Sequence, residues 1–116
     1  MGATSFEFNV TIPGDVRYAE AMRDLAAHAA RYAGCQSAEA DRYGAAVESV
    51  VRACLVQARS QIVPAVVRRG DGPVEFLIVC EEPVETTAQD AQITIEWTRE
   101  GGRRMCRVAR SMPADV

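Results

Sequence analysis

The chain contains no lysine: all 13 of its basic residues are arginine, set against 16 acidic ones, for a net charge of −3. That balance gives no reason to expect nucleic acid, which selects for a basic surface. An all-arginine bias also follows from a GC-rich genome, so it is not read as a binding signal. Histidine occurs once, at His28, among alanines and with no nucleophile pattern beside it. A helix-surface or boundary position is expected for it, not a catalytic base. No apolar run approaches the roughly 18 residues that a membrane span needs. The opening MGATSFEFNV lacks a basic segment followed by an apolar one, so no leader is expected and the cytoplasm is the default location. The four cysteines, Cys35, Cys54, Cys80 and Cys106, include no CxxC pair. With a single histidine to help them, no metal site is expected. Cys54, Cys80 and Cys106 fall inside apolar patterns and should serve as small core residues. Cys35 falls in an expected loop, where it would be exposed and oxidisable.

What is present is an ordinary globular composition, 48% hydrophobic and 25% charged over 116 residues. One domain covering 1–116 with one modest core follows from that size. Phe6–Ile12 alternates Phe6, Phe8, Val10 and Ile12 inward against Glu7, Asn9 and Thr11, the pattern of a half-buried strand. Pro13 and Gly14 end it, and Asp15 caps the next element. From Val16 to about Ala33, Tyr18, Met22, Leu25, Ala29 and Tyr32 form a helical stripe, stopped by Gly34. Ser37–Arg59 is a second amphipathic helix with Ser37 as N-cap, Glu39 and Asp41 in its first turn, and Val47, Val50, Val51 and Cys54 on its apolar face.

Four strands should follow. Gln61–Arg68 contains Pro64, which cannot donate to a ladder, so an edge or bulged strand is expected. Val74–Cys80 is the most apolar and should be central. Ala91–Thr98 points Ile93, Ile95 and Trp97 inward, a turn at Glu100-Gly101-Gly102 follows, and Arg103–Arg110 returns as the last strand. Arg99, Arg103, Arg104, Arg107 and Arg110 crowd this hairpin against Glu96 and Glu100. A solvated strand face is the ordinary reading, an acidic or RNA partner the sharper one. The order β-α-α-β-β-β-β predicts an α+β two-layer sandwich, two helices on one face of a mainly antiparallel sheet of about five strands.

The runs FNVTIPGDVRYAEAMRDLA and ADRYGAAVESVVRACLVQA resemble the anti-sigma-factor type of the GHKL, or histidine-kinase-like, ATPases. That bacterial family opens with a strand and an Ile-Pro turn. It carries its N box, A-V-x-E-A-x-x-N-A-x-x-H-A, on the second helix. The resemblance covers the first half of the chain, and the rest only through strand order. In the family the N-box Glu activates water or a protein hydroxyl, and the Asn four residues on ligates the Mg²⁺ that bridges the ATP phosphates. Laid on this chain, the Glu falls on Glu48 and the Asn on Arg52.

Arginine has five donors and no acceptor, so it cannot ligate a cation. Two cations a few Å apart also repel by several kcal/mol at an effective dielectric of about 20. The family's D-x-G-x-G motif, after the central strand, falls on Glu81-Glu82-Pro83-Val84-Glu85, with Glu81 in the Asp position and both glycines missing. Glu81–Asp90 is also too short for the family's glycine-bearing lid.

The resemblance therefore implies a pseudo-ATPase. Glu48, Arg52 and Glu81 would be vestigial cofactor-binding residues, with no metal and no cofactor. The chain would be a regulatory protein-interaction module with a sigma factor or an antagonist protein as partner, and with a homodimer as a possible state. An active serine kinase, with Glu48 as base and Glu81 or Glu82 as replacement metal ligand, is the alternative. An unrelated small α+β domain is the third reading. The pair Glu48–Arg52 itself is either a surface ion pair worth about 0.3–0.5 kcal/mol or a cation filling a remnant cleft.

Overall fold

The computed structural model of the chain describes residues 5–58, 62–70, 72–82 and 91–111. The elements are β1 (Phe6–Pro13), a 3-10 turn (Val16–Tyr18), α1 (Ala19–Tyr32), α2 (Ser37–Gln57), β2 (Ile62–Arg69), β3 (Val74–Val79), β4 (Ile93–Glu100) and β5 (Arg103–Arg110). The strands form one sheet in the order β1-β2-β3-β5-β4, with every neighbouring pair antiparallel. The two helices pack together on one face, giving the α+β two-layer sandwich that the pattern predicts. No helix among the described residues is long and apolar enough to cross a membrane.

The core lies between the layers, where Tyr43, Val47, Val50, Val51 and Cys54 of α2 meet Val67, Phe76, Ile78, Cys106 and Val108 of the sheet. Burying each large side chain there contributes about 1.5–3 kcal/mol. The Tyr43 hydroxyl, fully enclosed, donates to the Val108 carbonyl at 2.9 Å and so ties α2 to β5. β3 is central, as its unbroken apolar run requires.

Several expectations are corrected. The first helix begins with the 3-10 turn, which Asp15 caps through the Arg17 amide at 2.9 Å. On α1 the buried residues are Ala19, Ala26, Ala27, Ala29 and Ala30, whereas Tyr18 and Tyr32 are exposed. Small residues face α2 because the helices approach closely. A Cβ on Gly44 would lie 2.7 Å from the Arg23 carbonyl oxygen and 3.1 Å from the Ala27 Cβ. His28 is exposed on α1, and Gly34, at φ +113°, takes the left-handed conformation that stops the helix.

At α2 the N-cap is Gln36, not Ser37, and its amide donates to Glu39 Oε1 at 3.3 Å. The helix ends at Gln57, and Arg59 lies outside the described residues. Cys35 is buried, not exposed, because the connector between the helices is drawn in by two arginines. Arg69 Nη1 donates to the Ala33 carbonyl at 2.7 Å, and Arg110 Nη2 to Glu39 Oε2 at 2.5 Å.

β2 is neither an edge nor bulged: it lies between β1 and β3 in even register with both. Pro64 is tolerated because it pairs with Thr11 of β1, while the β3 ladder begins one residue later, at Ala65. The β4–β5 turn is the pair Gly101-Gly102, with φ +58° and +79°, so Glu100 belongs to the strand. Phe8 and Trp97 lie on the helix side as expected, opposite Val67 and Cys106, yet are 49% and 43% exposed, each standing on an edge strand of the sheet. Most of the acidic connector, residues 83–90, lies outside the described residues.

Candidate functional site

The helix α2 carries Glu48 and Arg52 one turn apart, and their side chains meet: Arg52 Nη2 lies 2.9 Å from Glu48 Oε2. A third group joins them. Arg23 of α1 places Nη1 3.5 Å from Glu48 Oε1, so one carboxylate is held between two cations from two helices. Arg23 sits where the glycine contact brings α1 against α2. Glu48 keeps 19% of its side chain exposed, and the two arginines about half of theirs.

Glu81 lies elsewhere. It lines a shallow cleft of about 60 Å³ with Cys54, Gln57 and Ala58 from the end of α2, Ile62, Val63 and Pro64 of β2, and Val79 and Cys80 after β3. Neither Glu48 nor Arg52 lines it. Helix geometry explains the separation: at 3.6 residues per turn, Cys54 and Gln57 stand about 120° and 180° around α2 from Glu48. The volume is well below the roughly 300 Å³ at which small-molecule pockets begin. The three residues expected to share one cofactor site therefore fall on two sides of the helix. Among the described residues, no group of three or more His, Cys, Asp and Glu side chains is arranged to hold a metal ion.

The cleft floor is thiol-rich. Burial, reinforced by the adjacent Cys80, pushes the Cys54 thiol well above its ordinary value. Burial and Cys80 likewise push Cys106 up to about 11. The Cys80 Sγ lies 2.7 Å from the Glu82 carbonyl oxygen and 3.4 Å from Gln57 Oε1. Cys54 and Cys106 are protonated thiols, and all three cysteines are buried as core, as their apolar surroundings predict.

The arginines of the last hairpin separate by strand parity. On the outer face, away from the helices, Glu75 binds Arg107 through Nε and Arg68 at 3.0 Å. Arg107 also reaches Glu96, at 2.6 Å, and Arg68 grips Glu100 with two bonds of 2.8 Å. β2 and β4 are three strand spacings apart, about 14 Å on a flat sheet. The bidentate pair therefore requires the hairpin to coil back over this face. Desolvation alone would raise Glu75, but the hydrogen bonds from Arg107 and Arg68 outweigh it and hold the carboxyl below its ordinary value. The bonds to Glu100 first and Glu75 second hold Arg68 above its ordinary value, and for Arg107 the desolvation that would lower it is outweighed by Glu75 and Glu96.

On the helix side Arg110, 2% exposed, is consumed by Glu39 and by the Ser111 carbonyl at 2.7 Å. Trp97, Arg99 and Arg104 lie beyond the helices on that same side. The Arg104 guanidinium sits 5.5 Å from the Trp97 ring centre, and Trp97 Nε1 lies 3.5 Å from the carbonyl oxygen of Cys80, a cleft residue. The arginines of this rim belong to the basic hairpin that the sequence marks out, whereas the exposure of Trp97 beside them and the role of Arg23 were not anticipated from sequence. The rim was within reach, since counting back from a two-residue Gly101-Gly102 turn sets Arg99 opposite Arg104 and Trp97 opposite Cys106. Arg23 had no local signal, because its partner is on another helix.

No protein-family model matches the chain, and no curated protein matches it.

Proposed function

We propose that the chain is a non-catalytic regulatory module, anti-sigma-factor-like in layout, which acts in the cytoplasm by protein–protein contact and does not bind Mg-ATP. Its partner would be a sigma factor or a small antagonist protein, with a homodimer as a possible state. One observation carries this reading: the Glu48 carboxylate is held between Arg52 and Arg23, on the far side of α2 from the cleft that Glu81 lines. A general base needs a lone pair directed at its substrate, and a metal needs several oxygen ligands converging on one point. Two guanidiniums on one carboxylate supply positive charge where the metal would add more.

Isothermal titration of ATP and ADP, with and without Mg²⁺, at millimolar ligand tests the proposal. No heat and no thermal stabilisation are expected, either from the protein or from Arg52→Asn, which restores the N-box residue. Micromolar, Mg²⁺-dependent binding by the unaltered protein would overturn the reading in favour of the kinase, with Glu48 as base.

A further inference from the structure

The free end of the β4–β5 hairpin carries charge that the fold does not use. Its carboxylates, Glu96 and Glu100, are spent on the outer face on Arg107 and Arg68. Arg99, Arg103 and Arg104 are exposed, and none has a carboxylate partner among the described residues. Arg99 and Arg104 stand directly opposite each other across the strand pair, a like-charge arrangement that disfavours the hairpin. Beside them Trp97 is 43% exposed, and it holds Arg104 over its ring. The Trp97 indole lies 3.5 Å from the carbonyl oxygen of Cys80, a residue that also lines the cleft, whose wall includes the exposed Ile62.

We propose that Trp97, Arg99 and Arg104, together with the cleft at Ile62 and Val63, bind an acidic peptide segment that inserts one aliphatic side chain. The proposal rests on the reading of the chain as a protein-contact module and names the chemistry of its partner. The cleft selects the inserted group. At about 60 Å³ it is less than half the roughly 150 Å³ that accepts a benzene ring. The branched end of a leucine or valine suits that volume better than an aromatic or heterocyclic ring. Glu81, which also lines the cleft, disfavours a carboxylate inside it, so the acidic residues lie over the hairpin, where two guanidiniums await counter-charges. The chain's own net charge of −3 disfavours a polyanionic nucleic acid and leaves local complementarity to a short acidic segment.

Trp97 is the single tryptophan, so its fluorescence reports this surface directly. The test is a fluorescence titration of the full chain with a short synthetic peptide in which one leucine is flanked by glutamates and aspartates. A saturable change, weakened by salt, is expected. It should be lost with a peptide carrying serine for leucine. Reversal of the rim, Arg99→Glu with Arg104→Glu, should weaken binding on the order of tenfold or more. Arg103→Glu changes net charge on the outer face and should leave binding nearly unchanged, which separates a site from bulk electrostatics. Thermal melts confirm that each variant is folded.

No saturable response, equal loss with Arg103→Glu, or tighter binding of a single-stranded oligonucleotide than of the peptide would each overturn the proposal. Failure here together with absence of Mg-ATP binding leaves the regulatory reading standing. Mg-ATP binding removes that reading whatever the peptide does.

Discussion

Gly44→Ala sets two effects of opposite sign against each other inside one helix. Alanine in place of an interior glycine returns about 1 kcal/mol of helix propensity. Its Cβ, however, would stand 2.7 Å from the Arg23 carbonyl oxygen and 3.1 Å from the Ala27 Cβ. Overpacking of this kind costs about 1–3 kcal/mol, and a backbone oxygen inside α1 cannot rotate away, so the cost belongs in the upper part of that range. The net expectation is a loss of about 1–2 kcal/mol, or a fall in Tm of about 5–10 °C. Urea unfolding followed by Trp97 fluorescence and by circular dichroism measures it, with the midpoint moving and the slope unchanged. Ala45→Gly, on the exposed side of the same helix, gives the local propensity difference for subtraction. Replacing Ala27 as well, with Ala27→Gly, relieves only the lesser contact and itself costs about 1 kcal/mol of helix propensity, so no net recovery is expected. If Gly44→Ala is as stable as the parent or more so, α1 and α2 are not held at the separation described.

Two further predictions concern the buried and half-buried charges. Glu39→Ala strands the Arg110 guanidinium, whose Nε already lacks a hydrogen-bond partner, and should cost about 3 kcal/mol. The double variant Arg110→Leu/Glu39→Ala should recover much of that loss in the same urea assay, because no buried charge remains. Glu75 titrates below its ordinary value of 4.5 in the folded protein, so its stabilisation is fully present above that value and is lost as pH falls through the lower folded one. Glu75→Gln should therefore be less stable near neutrality yet show a shallower loss under acid. Parallel urea midpoints across that range check the sign, and identical pH slopes would refute it.

How much of this was legible in the chain follows from the range of each interaction. Period-two and period-3.6 patterns placed all five strands and both helices, and the apolar run Val74–Cys80 marked the central strand, because burial imprints its own spacing on the residues. The Glu48–Arg52 pair was legible for the same reason: one helical turn is a local distance. Capping was half legible, with Asp15 and Gly34 evident and Gln36 hidden behind a better-looking serine.

Other features depended on partners remote in sequence. Cys35 is buried because Arg69 and Arg110, from two strands, close over the connector. Pro64 sits in an interior strand because the β3 ladder starts one residue after it. The alanines, not the tyrosines, are the buried face of α1, because Gly44 lets a second helix come close. Whether Glu48 and Glu81 share a site is likewise a matter of which side of α2 each occupies once the helix is laid on the sheet. Local spacing determines the elements and their neighbours within a turn. Only the tertiary packing, which brings residues tens of positions apart into contact, decides which charges are spent on the fold and which remain for a partner.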